Sequence, residues 1–313
     1  MKRLCVFAHW DRDNTIDDYV IYYLKALKEV CETIIFVSDC NLELNETNKL
    51  NNIADFVIAQ KHGEYDFGSY KRGFLFAKEN GLQFEELLLV NDSCFGPFTS
   101  LKIIFDEMAK RKCDFWGLTD FNKVPVKKFG SYYLKTVTES HIQSYFLDLK
   151  KSVLNSKKFI NFIEGVHRLK DKNEIVLEYE IGLSNLLHDL GFKSEAYMKN
   201  VKLNSKNAQE QALETLIKYR YPLFKTNLLK NPYETNFDFI IQQIAENTTY
   251  DTSMISKHIL RVREKYTKIN FYRQFRYKLL KNRSENLRFA VITSEKFLYR
   301  VLNLLFFGRL KKF

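Results

Sequence analysis

Five short apolar runs, most of them followed by a segment of helical spacing, constrain this chain more than any other feature. They are RLCVFA (residues 3–8), TIIFVS (Thr33–Ser38), DFVIAQ (Asp55–Gln60), Leu87–Val90 within ELLLVNDS, and DFWGL (residues 114–118). Between the first two, Ile16, Tyr19, Val20, Tyr23, Leu24, Leu27 and Cys31 recur at helical spacing, with Asn14 as the expected cap and Asp17 and Asp18 in the first turn. Strands alternating with helices join through right-handed crossovers, which predicts an α/β fold with a mostly parallel central sheet flanked by helices. Ser131–Val137 and Gln143–Leu149 have strand character with no full crossover helix between them, so an antiparallel addition at a sheet edge is expected. Helices are expected at Ser100–Lys112, Ser156–Gly165 and Ile175–Leu190, and a strand at Phe192–Tyr197. Beyond Lys206 the chain reads largely helical, broken at Tyr221-Pro222 and Asn231-Pro232.

Ligands of open α/β sheets bind just beyond the carboxyl ends of the strands. In this chain His9 and Asp11 follow the first run, Asp39 the second, Asp66 to Arg72 the third and Asn91-Asp92 the fourth, so parallel strands would gather them on one rim. The Leu87 run stops abruptly at Asn91-Asp92-Ser93, and Gly96-Pro97 constrains the turn that follows. A carboxylate such as Asp92 can hold a divalent cation, Mn or Mg, and through it a diphosphate; the plain alternative is a strand ending in a polar turn. In the loop Gly63–Gly73, Gly68 permits close backbone approach, and Lys71 or Arg72 can reach phosphate oxygens or remain solvated. Neither GxxxxGK[ST] nor GxGxxG is present.

At 100° per residue Glu180 falls inside the apolar sector formed by Val176, Leu177, Ile181, Leu183, Leu187 and Leu190. A buried carboxylate either finds a salt-bridge or backbone partner or serves proton chemistry. His141 and Gln143, before SYFLDL, can face the same cleft, with a hydrogen-bonded structural histidine as the alternative. Asp120 at the end of WGLTD is a further rim carboxylate or a solvated loop residue.

Charge separates the chain into two parts. Lys257 to Phe313 carries 16 Lys/Arg against three Glu, whereas the whole chain is +11 and residues 1–256 are nearly neutral. The last segment places Phe297, Val301, Leu304 and Leu305 on one helical face among basic residues, as expected of a helix at an anionic membrane surface. Packing on the body or a nucleic-acid patch are alternatives, but no nucleic-acid-binding motif accompanies it, and no nucleic acid is expected as a partner. Five cysteines without metal-ligand spacing suit a reducing cytosol. With an N-terminal apolar stretch too short for a signal peptide and no apolar run of about 18 residues, a cytoplasmic protein peripheral to the inner membrane face is expected.

In order along the chain, VFAHWDRDNTIDDYVIYYLKAL, EYDFGSYKRG, LLLVNDSCFGPF, CDFWGLTD, HIQSYFLDLKKSVL and YEIGLSNLLHDLGFKSEAY resemble the rhamnan synthesis protein F family of bacterial polysaccharide glycosyltransferases. The resemblance implies a GT-A-like domain over residues 1–205, a helical extension over 206–256 packed on it and the basic tail over 257–313. It implies that Asn91-Asp92-Ser93 occupies the place of a DxD metal and diphosphate motif with one carboxylate instead of two, so that Lys71 or Arg72 is the alternative neutraliser. It further implies His9, Asp11 and Asp39 near the nucleoside, the loop with Asp66, Gly68, Lys71 and Arg72 near the diphosphate or sugar, and Glu180 as the base for an acceptor near Asp120, His141 and Gln143. The implied donor is dTDP-L-rhamnose, transferred with inversion to a lipid-linked cell-surface glycan. The alternatives are another nucleotide sugar on the same fold, or a non-catalytic binding subunit of a polysaccharide assembly.

Overall fold

The computed structural model describes residues 2–121, 141–199, 208–230 and 236–263. The first half alternates as read from the sequence: β1 (Arg3–His9), α1 (Asp18–Lys28), β2 (Thr33–Ser38), α2 (Leu44–Asn48), β3 (Phe56–Ala59), α3 (Tyr65–Glu79), β4 (Glu86–Asn91), β5 (Cys94–Phe95), α4 (Leu101–Met108) and β6 (Phe115–Phe121). Next come β7 (His141–Ile142), β8 (Phe146–Lys150), α5 (Lys151–Leu154), α6 (Lys157–Glu164), α7 (Lys172–Ile175), a π-helical turn (Val176–Ile181), α8 (Gly182–Asp189) and β9 (Ser194–Met198). The remaining elements are α9 (Ala208–Tyr219), β10 (Phe224–Lys225), α10 (Asn227–Lys230) and α11 (Phe237–Asn247), with a last helix, α12, over residues 253–263. The strand expected at Ser131–Val137 and the apolar stripe of the tail lie outside the described residues.

The main sheet runs β3-β2-β1-β4-β8-β6-β7, with β9 beside β6. Pairs β1–β2, β1–β4, β2–β3 and β6–β9 are parallel, and β8 is antiparallel to both β4 and β6. The antiparallel strand expected at an edge is therefore interior. Phe146, Leu147, Asp148 and Leu149 are all buried, as suits a strand covered on both faces. Its one carboxylate, Asp148, lies 3.4 Å from Arg3 Nε, which also pairs with Glu86 on β4, but burial and the nearby Glu86 push it up to about 8 against that pairing.

Two apolar layers cover the sheet. On one face Tyr23, Leu24 and Leu27 of α1 and Ile104 of α4 join Leu213 and Leu216 of α9, Ile240 and Ile244 of α11, and Ile255 and Ile259 of α12. On the other, Phe67, Tyr70 and Phe74 of α3 meet Phe159 and Ile163 of α6 and Leu183 and Leu187 of α8. The described helices α9, α11 and α12 thus pack on this face of the sheet. Because α12 runs through residue 256 with Ile255 and Ile259 both fully buried, the first turn of the basic segment belongs to this packed body.

Two local expectations change. Asn14 does not cap α1 but takes a left-handed turn at φ 54°, and Asp17 is the capping position without a side-chain cap bond. Its carboxylate is engaged instead by His258 and Arg261 of α12. The helix expected from Ile175 to Leu190 contains a π-helical turn over Val176–Ile181, which advances fewer degrees per residue than the 100° of an α-helix.

Candidate active site

The carboxyl ends of β1, β2, β4 and β6 and the segment entering β8 meet on one rim. At its centre Asn91 uses its whole amide. Nδ2 donates to Asp66 Oδ2 at 2.8 Å, and Oδ1 accepts the Ser93 N–H at 3.1 Å and the Ser93 hydroxyl at 2.6 Å. This fixes the turn that carries Asp92, whose Oδ2 accepts the Trp10 N–H at 2.9 Å and whose carbonyl accepts the Tyr19 hydroxyl at 2.8 Å. Burial pushes the Asp92 carboxyl up to about 8, with Asp66 adding to the rise and Lys230 opposing it. Burial likewise pushes Asp66 up to about 6, opposed by Lys172 and the Asn91 hydrogen bond and reinforced by Glu180 and Asp39.

Glu180 reaches this rim from the π-helical turn. It accepts the Ser144 N–H at 3.0 Å and the Ser144 hydroxyl on Oε2, while His141 Nε2 lies 3.6 Å from Oε1. The next residue, Tyr145, offers its carbonyl to the Asn91 N–H at 3.3 Å. Glu180 and Asp92 are thus linked through Ser144, Tyr145 and Asn91, and the Asp66 carboxyl feels both carboxylates. Burial alone would raise the Glu180 carboxyl, but hydrogen bonds from His141 and Ser144 prevail and hold it below the usual range. It is therefore ionised at neutral pH, the state in which a base can accept a proton. The structure gives Glu180 partners in Ser144 and His141, and Oε1 accepts no hydrogen bond from Ser144.

The remaining expected residues divide into those brought to the rim and those spent elsewhere. Asp39 accepts the His62 and Gly63 N–H groups at 2.5 and 2.8 Å, and so fixes the loop after β3. His9 Nδ1 bonds Ser38 Oγ at 2.8 Å, and burial lowers its pKa to about 4, leaving a neutral imidazole 3.9 Å from Asp92. Thr119 Oγ1 donates to Gln143 Oε1 at 2.8 Å and is also bonded to Tyr145, so Gln143 is tied to β6. Asp120 lies in the β6–β7 ladder opposite Ile142, one position from His141.

Four of the expected residues have partners within the chain that the sequence did not reveal. Asp11 is taken by a two-pronged pair with Arg261 at 3.1 and 2.7 Å, because α12 lies against the loop after β1. Lys71 donates to the Val166 carbonyl at 2.8 Å. Arg72 pairs with Glu64 at 2.6 Å and with the Gly68 carbonyl at 2.9 Å, since on α3 it faces back along its own first turn. Gly68 admits its own loop instead of a ligand, for a Cβ there would lie 2.3 Å from Glu64 Cβ and 2.9 Å from His62 Nδ1.

Sequence reasoning passed over Ser144, Trp10 and Lys230. Ser144 sits in the quoted HIQSYFLDL segment, but nothing local marks it as the partner of a residue 36 positions away. Trp10, 55% exposed immediately after β1, was the most legible of the three, since a large exposed aromatic at a strand end is a ready stacking surface. Among the described residues no three His, Cys, Asp or Glu side chains converge as a metal cage; a cation held jointly with a diphosphate needs only one or two carboxylates, and Asp92 is the one this turn offers.

Comparison with known proteins adds the following. A family model described as rhamnan synthesis protein F matches residues 34–302. The uncharacterized protein y4gN of Sinorhizobium fredii is 24% identical over 159 residues, 51% of this chain and 39% of that protein. Virulence protein VirA of Vibrio anguillarum is 26% identical over 196 residues, 61% of this chain and 58% of its own. The chain therefore spans less than two thirds of the length of these relatives. Among solved structures, the inositol-1-phosphate CTP transferase from T. maritima aligns with a TM-score of 0.42 at 12% identity, over 80% of this chain and 98% of that one.

Proposed function

The chain belongs to the rhamnan synthesis protein F family, and from that premise we propose that it is a nucleotide-sugar glycosyltransferase of bacterial surface-polysaccharide synthesis. One observation supports this reading above others: two half-buried carboxyls, Glu180 and Asp92, share a single rim of the sheet through Ser144, Tyr145 and Asn91. In the proposed reaction Glu180 Oε1 accepts the proton of the acceptor hydroxyl, whose oxygen attacks the anomeric carbon. The bond from that carbon to the diphosphate oxygen breaks on the opposite face, so the configuration inverts and the nucleoside diphosphate leaves. His141 and Ser144 orient Glu180, while Asp120 and Gln143 border the acceptor side. Asp39 and His9 shape the nucleoside side through the loops they hold. Asp92, largely neutral in its buried setting, can donate a hydrogen bond to the departing diphosphate.

The proposed donor is dTDP-L-rhamnose and the proposed acceptor a lipid-linked glycan, reached at the inner membrane face through the basic segment after residue 257. Thermal shift across a panel of nucleotide sugars, with and without Mn²⁺ or Mg²⁺, identifies the donor, because a ligand of the folded state alone raises its melting temperature. Transfer is then compared between the parent and Glu180→Gln. A loss of about a hundredfold or more with the donor still bound is the expected result. Unchanged transfer removes Glu180 from the chemistry, and donor binding without transfer in the parent makes the chain a binding subunit.

A further inference from the structure

The inference concerns the diphosphate and rests on the nucleotide-sugar reading of the rim. Both cations expected to neutralise it, Lys71 and Arg72, are committed to Val166, Glu64 and Gly68. Among the described residues no three metal-ligating side chains converge either. A bound diphosphate brings at least two negative charges, which other cations on the rim can offset.

We propose that Lys230 at the end of α10 and Lys172 at the start of α7 hold the donor diphosphate as a pair of ammonium groups. Lys230 is delivered by a short antiparallel ladder. Phe224 and Lys225 of β10 pair with Phe95 and Cys94 of β5, and the Thr226 N–H then donates to the Ser93 carbonyl at 2.9 Å. α10 starts just after that bond, so Lys230 lies one helical turn, about 6 Å of rise, beyond Thr226. The end of α10 is fixed as well: Leu229 is fully buried and its carbonyl accepts Arg263 Nη2 at 3.0 Å. Lys172 is the first residue of α7, which continues directly into the π-helical turn bearing Glu180 and packs against α3 beside Asp66.

Electrostatics agree with this placement. Asp92, Asp11, Lys172 and Arg261 all act on Lys230, and Lys172 acts on Asp66, so the charges of the two lysines and the two rim carboxyls are electrostatically linked. Burial, helped by the neighbouring cations Lys172 and Arg261, holds Lys230 below its ordinary range. No hydrogen bond or ion pair from any described residue engages either ammonium. Two like charges facing one cleft without a partner are unfavourable until an anion bridges them, and a diphosphate has the charge and the span to do so.

The test uses the full chain with two probes, inorganic pyrophosphate and dTDP, followed by tryptophan fluorescence. Of the two tryptophans only Trp10 is exposed, and its backbone N–H is bonded to Asp92, whereas Trp116 is buried. In EDTA the parent is expected to bind both probes. Lys230→Gln weakens both by about tenfold or more, Lys172→Gln by several-fold, and Lys230→Arg retains binding. Lys230→Gln is also expected to keep or raise the melting temperature, which separates a lost ligand contact from a misfolded chain. Probe binding that requires Mg²⁺ or Mn²⁺, or is equal in parent and Lys230→Gln, overturns the lysine pair and leaves the nucleotide-sugar site standing. Failure of both probes to bind under every cation condition overturns the nucleotide-sugar reading and the pair with it.

Discussion

At the scale of single residues the rim is a set of carboxyls sorted by their partners. Glu180 is ionised because Ser144 and His141 surround it, whereas Asp92 and Asp66 are pushed up to about 8 and about 6 by burial. A carboxyl whose folded pKa lies above its unfolded value binds extra protons in the native state. Its contribution to stability is complete below about pH 4 and is lost as the pH rises through the folded value. For Asp92 the loss spans roughly pH 4 to 8. Replacing it with Asn, which keeps an acceptor for the Trp10 N–H, is expected to remove that slope. The melting temperature of Asp92→Asn should rise relative to the parent between pH 5 and pH 8, and a difference constant across that range would contradict the assignment. The types and order of these residues were readable in the sequence, since each follows an apolar run. Their partners were not, because Asn91–Asp66, Ser144–Glu180 and Arg261–Asp11 join positions 25, 36 and 250 residues apart.

At the scale of elements, the parallel half follows from apolar runs with helices between them, and β2 begins and ends where the sequence indicates. The direction and place of β8 were not legible, because an all-apolar strand looks the same whether it is interior or at an edge, parallel or antiparallel. The π-helical turn was hidden for a related reason: a helical wheel assumes a constant angle per residue. Two contacts that set the elements can be tested. α3 lies on β1 through Gly73, where a Cβ would come 2.4 Å from Val6 Cγ1. Gly73→Ala is expected to cost about 1–3 kcal/mol in urea denaturation, and a neutral effect would show that α3 can shift. α12 is clamped by Arg261, which reaches Asp11, Asp13 and Asp17 while His258 pairs with Asp17 at 2.6 Å. Arg261→Ala leaves those carboxylates facing one another, with an expected loss of about 1–3 kcal/mol and faster amide exchange across residues 253–263. Unchanged exchange there would mean that the apolar contacts of Ile255 and Ile259 alone hold the helix.

At the scale of the molecule, the charge asymmetry acquires a structural boundary. The basic segment starts inside α12, where Lys257 and Arg261 are spent on Asp18 at the start of α1 and on Asp11 in the loop before it, and most of its positive charge follows residue 263. The proposed membrane attachment therefore belongs to the segment beyond α12. Deleting residues 294–313 is expected to abolish binding to anionic phosphatidylglycerol liposomes, at about 1 kcal/mol for each basic residue near the surface, without lowering the melting temperature. Equal binding by the truncated chain would assign attachment elsewhere. The central claim is that the strand ends form one site for an activated sugar, and the position of a bound donor tests it most directly. A crystal structure with the nucleotide sugar selected by thermal shift should show the diphosphate against the Asn91-Asp92-Ser93 turn and the anomeric carbon facing Glu180. Density for the donor away from that turn, or on a face from which Glu180 is out of reach, would contradict the account.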